Sequence, residues 1–458
     1  MQSLDRSISE SKPKLLILGA GFAGLKLYSG VSEKDYSVLV VSFRDYFEYC
    51  PSAVHTLVEP EYHKRISLDL RTVLRENDFL QAGLQMLSLR SAVVSMPENE
   101  IPSTCQRLAA KGWGFRPVRT DRGCLEIDFD YCVVAIGARY PSPIGAAPYN
   151  LMMRRLELMC YFNNIRKSQV QMIIVKGGGY VGVEVATVLK EYFDENSVRL
   201  NRAPPKIEIW TRGNTICPNL NPQARSKVAE NLDTKGIKVV TSVEVPSNFS
   251  EGSNLNVHVI DCSGVQTTQN KQLYSPCFQQ TENGLLCVNE YLQLNLSNHP
   301  GLCADNIFGA GDCVQTPISS AKLGYIAMLH GDYIAKCLRK LAKAKLQFSH
   351  THLELMPRSA GFYSSHSIQS ETASHPVKID LGAVDVQPYT LTKEPNILLV
   401  SLGDTVLMAT KDGGTVCSSF KAMKSYIQET TLAGFKGNII AKGFQGINKF
   451  FNNLLFGG

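Results

Sequence analysis

No CxxC pair occurs among the chain's thirteen cysteines, which fall at irregular spacings from Cys50 to Cys417. That excludes a zinc ribbon and a redox dithiol, and an odd, scattered count suits a reducing compartment. No stretch approaches the roughly 18 consecutive apolar residues of a membrane-spanning helix. Lys and Arg never gather into a block interleaved with aromatics, and the net charge of +6 is spread over 458 residues. Nucleic acid is therefore not an expected partner. The opening MQSLDRSISESKP has no apolar core before a small-residue cleavage site, and Gln2 stands where myristoylation needs glycine. An intracellular, unsecreted protein is expected. With 44% hydrophobic and 19% charged residues, the chain can fill two or three domains.

What is present is an alternation of apolar strands and helical patterns up to about residue 345, the mark of a parallel α/β architecture. Two nucleotide-sized βαβ units stand out. In the first, LLIL at 15–18 meets Gly19, Ala20, Gly21, Phe22, Ala23 and Gly24, then a helix carrying Leu25, Leu27 and Tyr28, then a strand at 38–41. In the second, MIIV at 172–175 meets Gly177, Gly179 and Gly182, then a helix carrying Val183, Ala186, Val188 and Leu189, then a strand at 207–210. The first glycine of each set permits the tight turn, the second lets backbone approach a pyrophosphate, and the third packs helix on strand. Free N–H groups at the helix start would face the phosphates. One such motif is weak evidence; two, each between an apolar strand and a helix, make coincidental turns a poor explanation.

Further segments fit a pair of nucleotide folds. YCVVAIGA at 131–138, with Gly137 in its small-residue turn, and HVIDCSG at 258–264 read as closing strands, although an ordinary strand and turn explains either alone. NIFGAGDC at 306–313 runs a strand into Gly309 and Gly311 and presents Asp312. The stretch 239–259 is short and contains NFSEGSN, so the second sheet is expected to be abbreviated. Beyond 345, strands at 397–400 and 406–409 around the turn LGD predict a small antiparallel sheet. At 435–456 the residues Ile440, Phe444, Ile447, Phe451 and Leu454 form one helical face, accompanied by Lys436, Lys442 and Lys449. Such a segment suits a membrane interface or a docking helix on protein, and three glycines weaken it.

GAGFAG, GGGYVGVE and NIFGAGDC, in that order, resemble the two-dinucleotide-domain flavoprotein reductases. Within them the chain is most similar to type II NADH:quinone oxidoreductases and the apoptosis-inducing-factor-like ferroptosis suppressor proteins. GLLCVNEYLQL and AKLGYIAMLHGDYIA resemble the latter branch in particular. The resemblance spans 14–345 well and 346–430 weakly. It implies two Rossmann-like domains of the glutathione-reductase type plus a small α+β C-terminal domain. An FAD domain would comprise 13–145 and 286–345, an NAD(P)H domain 146–285, and a C-terminal domain 346–458.

The same resemblance implies particular roles. GAGFAG would hold FAD, with Gly137 and Gly311 close by and Asp312 on the ribityl chain, where helix capping is the plainer role. GGGYVG would hold NADH or NADPH. Glu184 matches an acid near the nicotinamide and equally suits a helix's first turn. Lys322 would steady charge on reduced flavin, against the alternative of a solvated helix-start lysine. Departures matter too. Ser42 replaces the ribose-binding acid, with Arg44 and Asp45 beyond it, and Trp210, Thr211 and Arg212 replace the acid that would repel a 2′-phosphate. NADPH becomes admissible, although Arg212 is also an ordinary strand-end arginine. The quinone-site glutamine pair reads Leu329 and His330, so those roles do not transfer.

The activity implied is hydride transfer from NAD(P)H to flavin, then two-electron reduction of a quinone, with no metal. Peripheral membrane contact through 434–456, a place at the cytosolic face of a membrane or with mitochondria, and a homodimer are admitted. An NAD(P)H-sensing flavoprotein and a soluble reductase of a small redox protein stay open beside it. Cys50 in FEYCPS is followed next by Cys105, so disulphide reduction is not expected.

Overall fold

A computed structural model describes residues 12–118, 123–145, 149–167, 170–245, 256–317, 322–344, 381, 386–389, 398–409, 413–417 and 420–436. The chain divides into two compact units, one of Met1–Val41, Ala82–Ile136 and Lys271–Thr390, the other of Ser42–Gln81, Gly137–Asn270 and Leu391–Gly458.

In the first unit the apolar run at the start becomes the strand Lys14–Leu18, with Leu15, Leu16 and Ile17 wholly buried. Such an unbroken apolar run suits an interior parallel strand covered on both faces. It pairs in parallel with Ser37–Ser42 on one side and Tyr131–Val134 on the other, and Cys303–Gly309 continues the parallel set. Gln293–Asn295 adds an antiparallel edge. The helices Phe22–Gly30 and Gly324–Lys343 pack against each other where side chains are absent. A Cβ on Gly331 would lie 2.4 Å from the Ala23 carbonyl oxygen, and one on Gly30 2.7 Å from the Ala335 Cβ.

The unit also holds an antiparallel sheet that the sequence reading did not anticipate. Its strands run in the order Gly83–Leu87, Ser91–Ser95, Cys124–Asp128 and Phe115–Val118. They are short, and the helix Ile101–Ala110 interrupts them in sequence, so no long period-2 pattern betrays them.

In the second unit four parallel strands run in the order Lys238–Val240, Lys206–Trp210, Met172–Lys176 and Val257–Asp261. Ile173, Val175, Ile207 and Ile209 meet Val183, Ala186 and Leu189 of the helix Tyr180–Leu200 in one core. Of the stretch read as abbreviated, 246–255 lie outside the described residues. The helix Pro222–Thr234 starts with Pro222 at its first position, and the Asn221 side chain accepts from the Ala224 amide at 2.8 Å. The antiparallel pair expected near 397–409 is present as Leu398–Leu402 and Thr405–Ala409, extended by Gly414–Cys417 and followed by the helix Phe420–Phe435. Val400, Leu402 and Leu407 join the same core as the parallel sheet.

Candidate functional site

Both glycine cradles take the geometry that their spacing predicts. Gly19 has φ +109°, and a Cβ there would lie 2.3 Å from the Ala135 carbonyl oxygen; Gly177 has φ +127° and the same problem with Cys262 at 2.5 Å. Only glycine fits such a turn. A Cβ on Gly24 would lie 1.9 Å from the Gly19 carbonyl, and one on Gly182 1.9 Å from that of Gly177, so each helix presses directly on its turn. At the middle positions, Gly21 and Gly179, a Cβ would meet nothing within 4 Å. These two residues are the N-caps of Phe22–Gly30 and Tyr180–Leu200, and neither helix start has a side-chain cap. Open space in front of uncapped helix N–H groups is what a pyrophosphate needs, and each cradle fits a dinucleotide.

The first cradle has company within its unit. The strand Cys303–Gly309 delivers the 3-10 turn Gly311–Cys313, where Gly311 has φ +76°. A Cβ on Gly311 would lie 3.6 Å from the Ala23 Cβ, and Gly324 sits 3.0 Å from the Phe22 ring by the same measure. The Gly311–Asp312 motif and the GAGFAG motif, almost three hundred positions apart, are thus neighbours. Lys322 lies beside them and donates from Nζ to the Val314 carbonyl. Burial draws its ammonium below the ordinary value, opposed by the Asp312 carboxylate and then by Cys313.

His330, whose role the sequence left open, is part of this cluster. Its Nδ1 accepts from the Gly311 amide at 3.1 Å. Burial, and then the charge of Lys322, lower its imidazole to about 4, so it is neutral with the proton on Nε2. That nitrogen is buried with no hydrogen-bond partner among the described residues, and the Tyr389 ring stands edge-on at 5.0 Å. A signal was legible: His330 interrupts the apolar stripe of Ile326, Ala327 and Ile334.

In the second unit, Arg212 is exposed just past the strand Lys206–Trp210, while the Trp210 indole nitrogen donates to Glu208 at 2.8 Å. Gly137 has φ +68°, and its carbonyl accepts from Asn270 at 3.2 Å. Ser42 Oγ accepts from the Arg44 amide at 3.3 Å. Asp45 is engaged elsewhere: its carboxylate accepts from the Leu151 amide at 2.8 Å and from Arg71 at 3.1 Å. Glu184, the fifth residue of the cradle helix and so just past the first turn that the sequence suggested, is buried; its Oε1 accepts from the Ser401 amide at 2.8 Å and from Lys424 Nζ at 2.6 Å. Sequence reasoning missed both partners, because they come from more than two hundred positions downstream.

A sheet–glycine–helix cradle occurring twice defines a two-dinucleotide oxidoreductase. A family model for pyridine nucleotide-disulphide oxidoreductases matches residues 13–331, and the chain belongs to that family. FAD and NAD(P)H are accordingly its cofactors. Among curated relatives, ferroptosis suppressor protein 1 of Xenopus tropicalis is 23% identical over 348 residues, covering 72% of this chain and 81% of that protein. The mitochondrial external alternative NADH-ubiquinone oxidoreductase of Yarrowia lipolytica is 24% identical over 389 residues, covering 73% of this chain and 60% of that protein. Among solved structures, NDH2 from Plasmodium falciparum in complex with NADH superposes with TM-score 0.62 at 15% identity, covering 94% of this chain and 98% of that one. The sequence's resemblance and fold class are both borne out.

Proposed function

We propose that the protein is an FAD-dependent NAD(P)H:quinone oxidoreductase. The observation that carries this reading is the repetition of one open glycine cradle, with the Gly311–Asp312 turn set against the first copy. The relative named an NADH-ubiquinone oxidoreductase supports the choice of acceptor. When bound, FAD supplies the centre that accepts hydride from the nicotinamide and releases two electrons to a quinone, which takes up two protons.

The chain's own residues bind and orient. Gly19, Ala20, Gly21, Phe22, Ala23 and Gly24 would hold the FAD pyrophosphate, Asp312 would accept from the ribityl hydroxyls, and Gly137 would let backbone pass close to that cofactor. Gly177, Gly179 and Gly182 would hold the nicotinamide dinucleotide. Lys322 supplies a fixed positive charge for the reduced state. Residues 434–456 give peripheral contact with the membrane that dissolves the quinone; past Lys436 they lie outside the described residues. Among those described, no helix is long and apolar enough to cross a membrane. The test is reoxidation: protein bleached by NADH under anaerobic conditions recovers its colour on addition of a short-chain quinone. Failure of every quinone to restore it would sink the reading.

Two predictions follow from single residues. His330 fixes the Gly311 amide, and losing a buried acceptor costs about 1–3 kcal/mol. His330→Ala is expected to weaken FAD retention by roughly 5- to 100-fold, whereas His330→Asn, which keeps an acceptor near Nδ1, retains most of it. The absorbance ratio of flavin to protein after gel filtration reads this directly. Arg212 favours a 2′-phosphate by a charge-assisted bond, so Arg212→Ala is expected to raise KM for NADPH by about 10-fold or more and leave that for NADH unchanged. Equal effects on both nucleotides would contradict the assignment.

One observation favours a second reading, a nucleotide sensor. Glu184 is bonded to Ser401 and Lys424, so the cradle helix is tied to the C-terminal segment of its own unit. Protection of Lys424 from acetylation that changes on adding NADH, with slow turnover on every quinone, would support it.

A further inference from the structure

The helix Leu151–Lys167 carries an apolar stripe on its solvent side. Met152 is 69% exposed, Met153 52%, Leu156 42% and Met159 43%. At about 100° per residue these four share an arc of roughly 120°, opposite the buried Arg154, Leu158 and Ile165. Phe43 and Tyr149, both 57% exposed, extend the patch as an edge-on aromatic pair 6.0 Å apart. Asp45 fixes that pair at the helix start: its amide donates to the Tyr149 carbonyl at 3.0 Å, and its carboxylate accepts from the Leu151 amide. Among the described residues, six of the nine exposed large hydrophobic side chains are therefore gathered on one face of one unit. Scattered singly they would need no explanation; contiguous, they mark a contact surface.

The rim identifies the occupant. Arg155 and Arg166 lie along one edge of the stripe about three helical turns apart, both half-buried, with the Arg166 guanidinium over the Phe162 ring at 5.2 Å and the Glu61 carboxylate near Arg155 paired with Lys64. Glu157 stands at the other edge and is already paired with Arg154 at 2.6 Å. An apolar face with a basic edge and interfacial aromatics matches an anionic bilayer surface. It does not match the chain's own tail: residues 437–458 contain Lys442 and Lys449 and no acid, so that segment would bring like charge to the arginine edge. A second copy offers the same two arginines and an occupied glutamate, which is poor self-complementarity.

We infer that this face is a membrane-contact surface that inserts Met152, Met153, Leu156 and Met159 among the acyl chains of an anionic lipid leaflet. It is independent of the identity of the electron acceptor and uses residues distinct from the C-terminal segment. The test takes the full-length protein with vesicles of phosphatidylcholine, with and without phosphatidylserine. Combined M152S, M153S, L156S and M159S should lower partition onto the anionic vesicles by at least about 10-fold, since each buried apolar side chain contributes appreciably to interfacial binding. Flavin content and unfolding midpoint should stay as in the parent, because all four positions face solvent. Independently, a tryptophan introduced by L156W should be quenched by brominated lipid. Unchanged partition, absent quenching, or a dimer in light scattering that the four serines dissolve would each overturn the proposal, the last in favour of a second copy.

Discussion

Valine in place of Gly182 is expected to abolish bleaching of the flavin by NADH and NADPH while leaving the protein yellow. A Cβ at this position would lie 1.9 Å from the backbone oxygen of Gly177, and backbone in a turn at φ +127° has no way to retreat. Helix and turn must separate, and the N–H groups in front of Gly179 lose their aim at the pyrophosphate. Nucleotide affinity should fall by more than about 100-fold, close to 3 kcal/mol. Gly24→Val is the mirror experiment, because its Cβ would strike the Gly19 oxygen at the same 1.9 Å. It should give colourless protein that still binds NADH. Both follow from one cradle built twice in units with separate cores, so loss of both cofactors from either variant would show that the assignment of one nucleotide to each is wrong.

The second large effect lies in the second unit, at the ion cluster around Glu48, where Glu48, Arg154 and His63 are buried. Arg154 donates to Glu48 from Nε at 3.0 Å and to Glu157 from Nη1 at 2.6 Å, while His63 Nε2 meets Glu48 at 2.8 Å. Arg154 also donates to the Pro143 carbonyl at 2.9 Å, which ties the loop after Gly137 to this cluster. Replacing Glu48 by Gln leaves a buried guanidinium without its principal counter-charge, and such a change costs about 3–5 kcal/mol. Chemical denaturation should show that loss as a lower midpoint with an unchanged slope.

The same cluster sets an acid limit. Burial alone would raise the Glu48 carboxyl, but the Arg154 charge and the His63 hydrogen bond outweigh it and hold the group at about 2, against an ordinary 4.5. A carboxyl depressed in the folded state contributes stability that is fully present above its unfolded value and is lost as pH falls toward the folded one. Wild type should therefore lose stability between about pH 4.5 and 2 more steeply than Glu48→Gln, which has nothing to titrate at this position. Parallel curves would contradict the assignment.

What was legible in the sequence is what short-range rules govern. LLIL followed by GAGFAG and MIIV followed by GGGYVG gave both cradles, because strand, turn and helix start lie within a dozen consecutive positions. The LGD turn gave its hairpin for the same reason. The rest depends on contacts between distant positions. Nothing near Glu184 announces Ser401 or Lys424, and nothing near Gly311 announces His330 except a polar residue in an apolar helical stripe. The sheet of Gly83–Leu87 and its neighbours was missed because a helix separates its strands. The tail at 435–456, strongly patterned, leads past Lys436 outside the described residues, whereas the Met-rich face of Leu151–Lys167 went unread because Met and Leu at helical spacing look like core until their exposure is known.

The most direct measurement is an anaerobic titration of the purified yellow protein with NADH. If two cradles carry two different nucleotides for hydride transfer, flavin absorbance should bleach to completion at one NADH per flavin. NADH that binds yet leaves the flavin oxidised, or a purified protein that never carries flavin, would contradict the account.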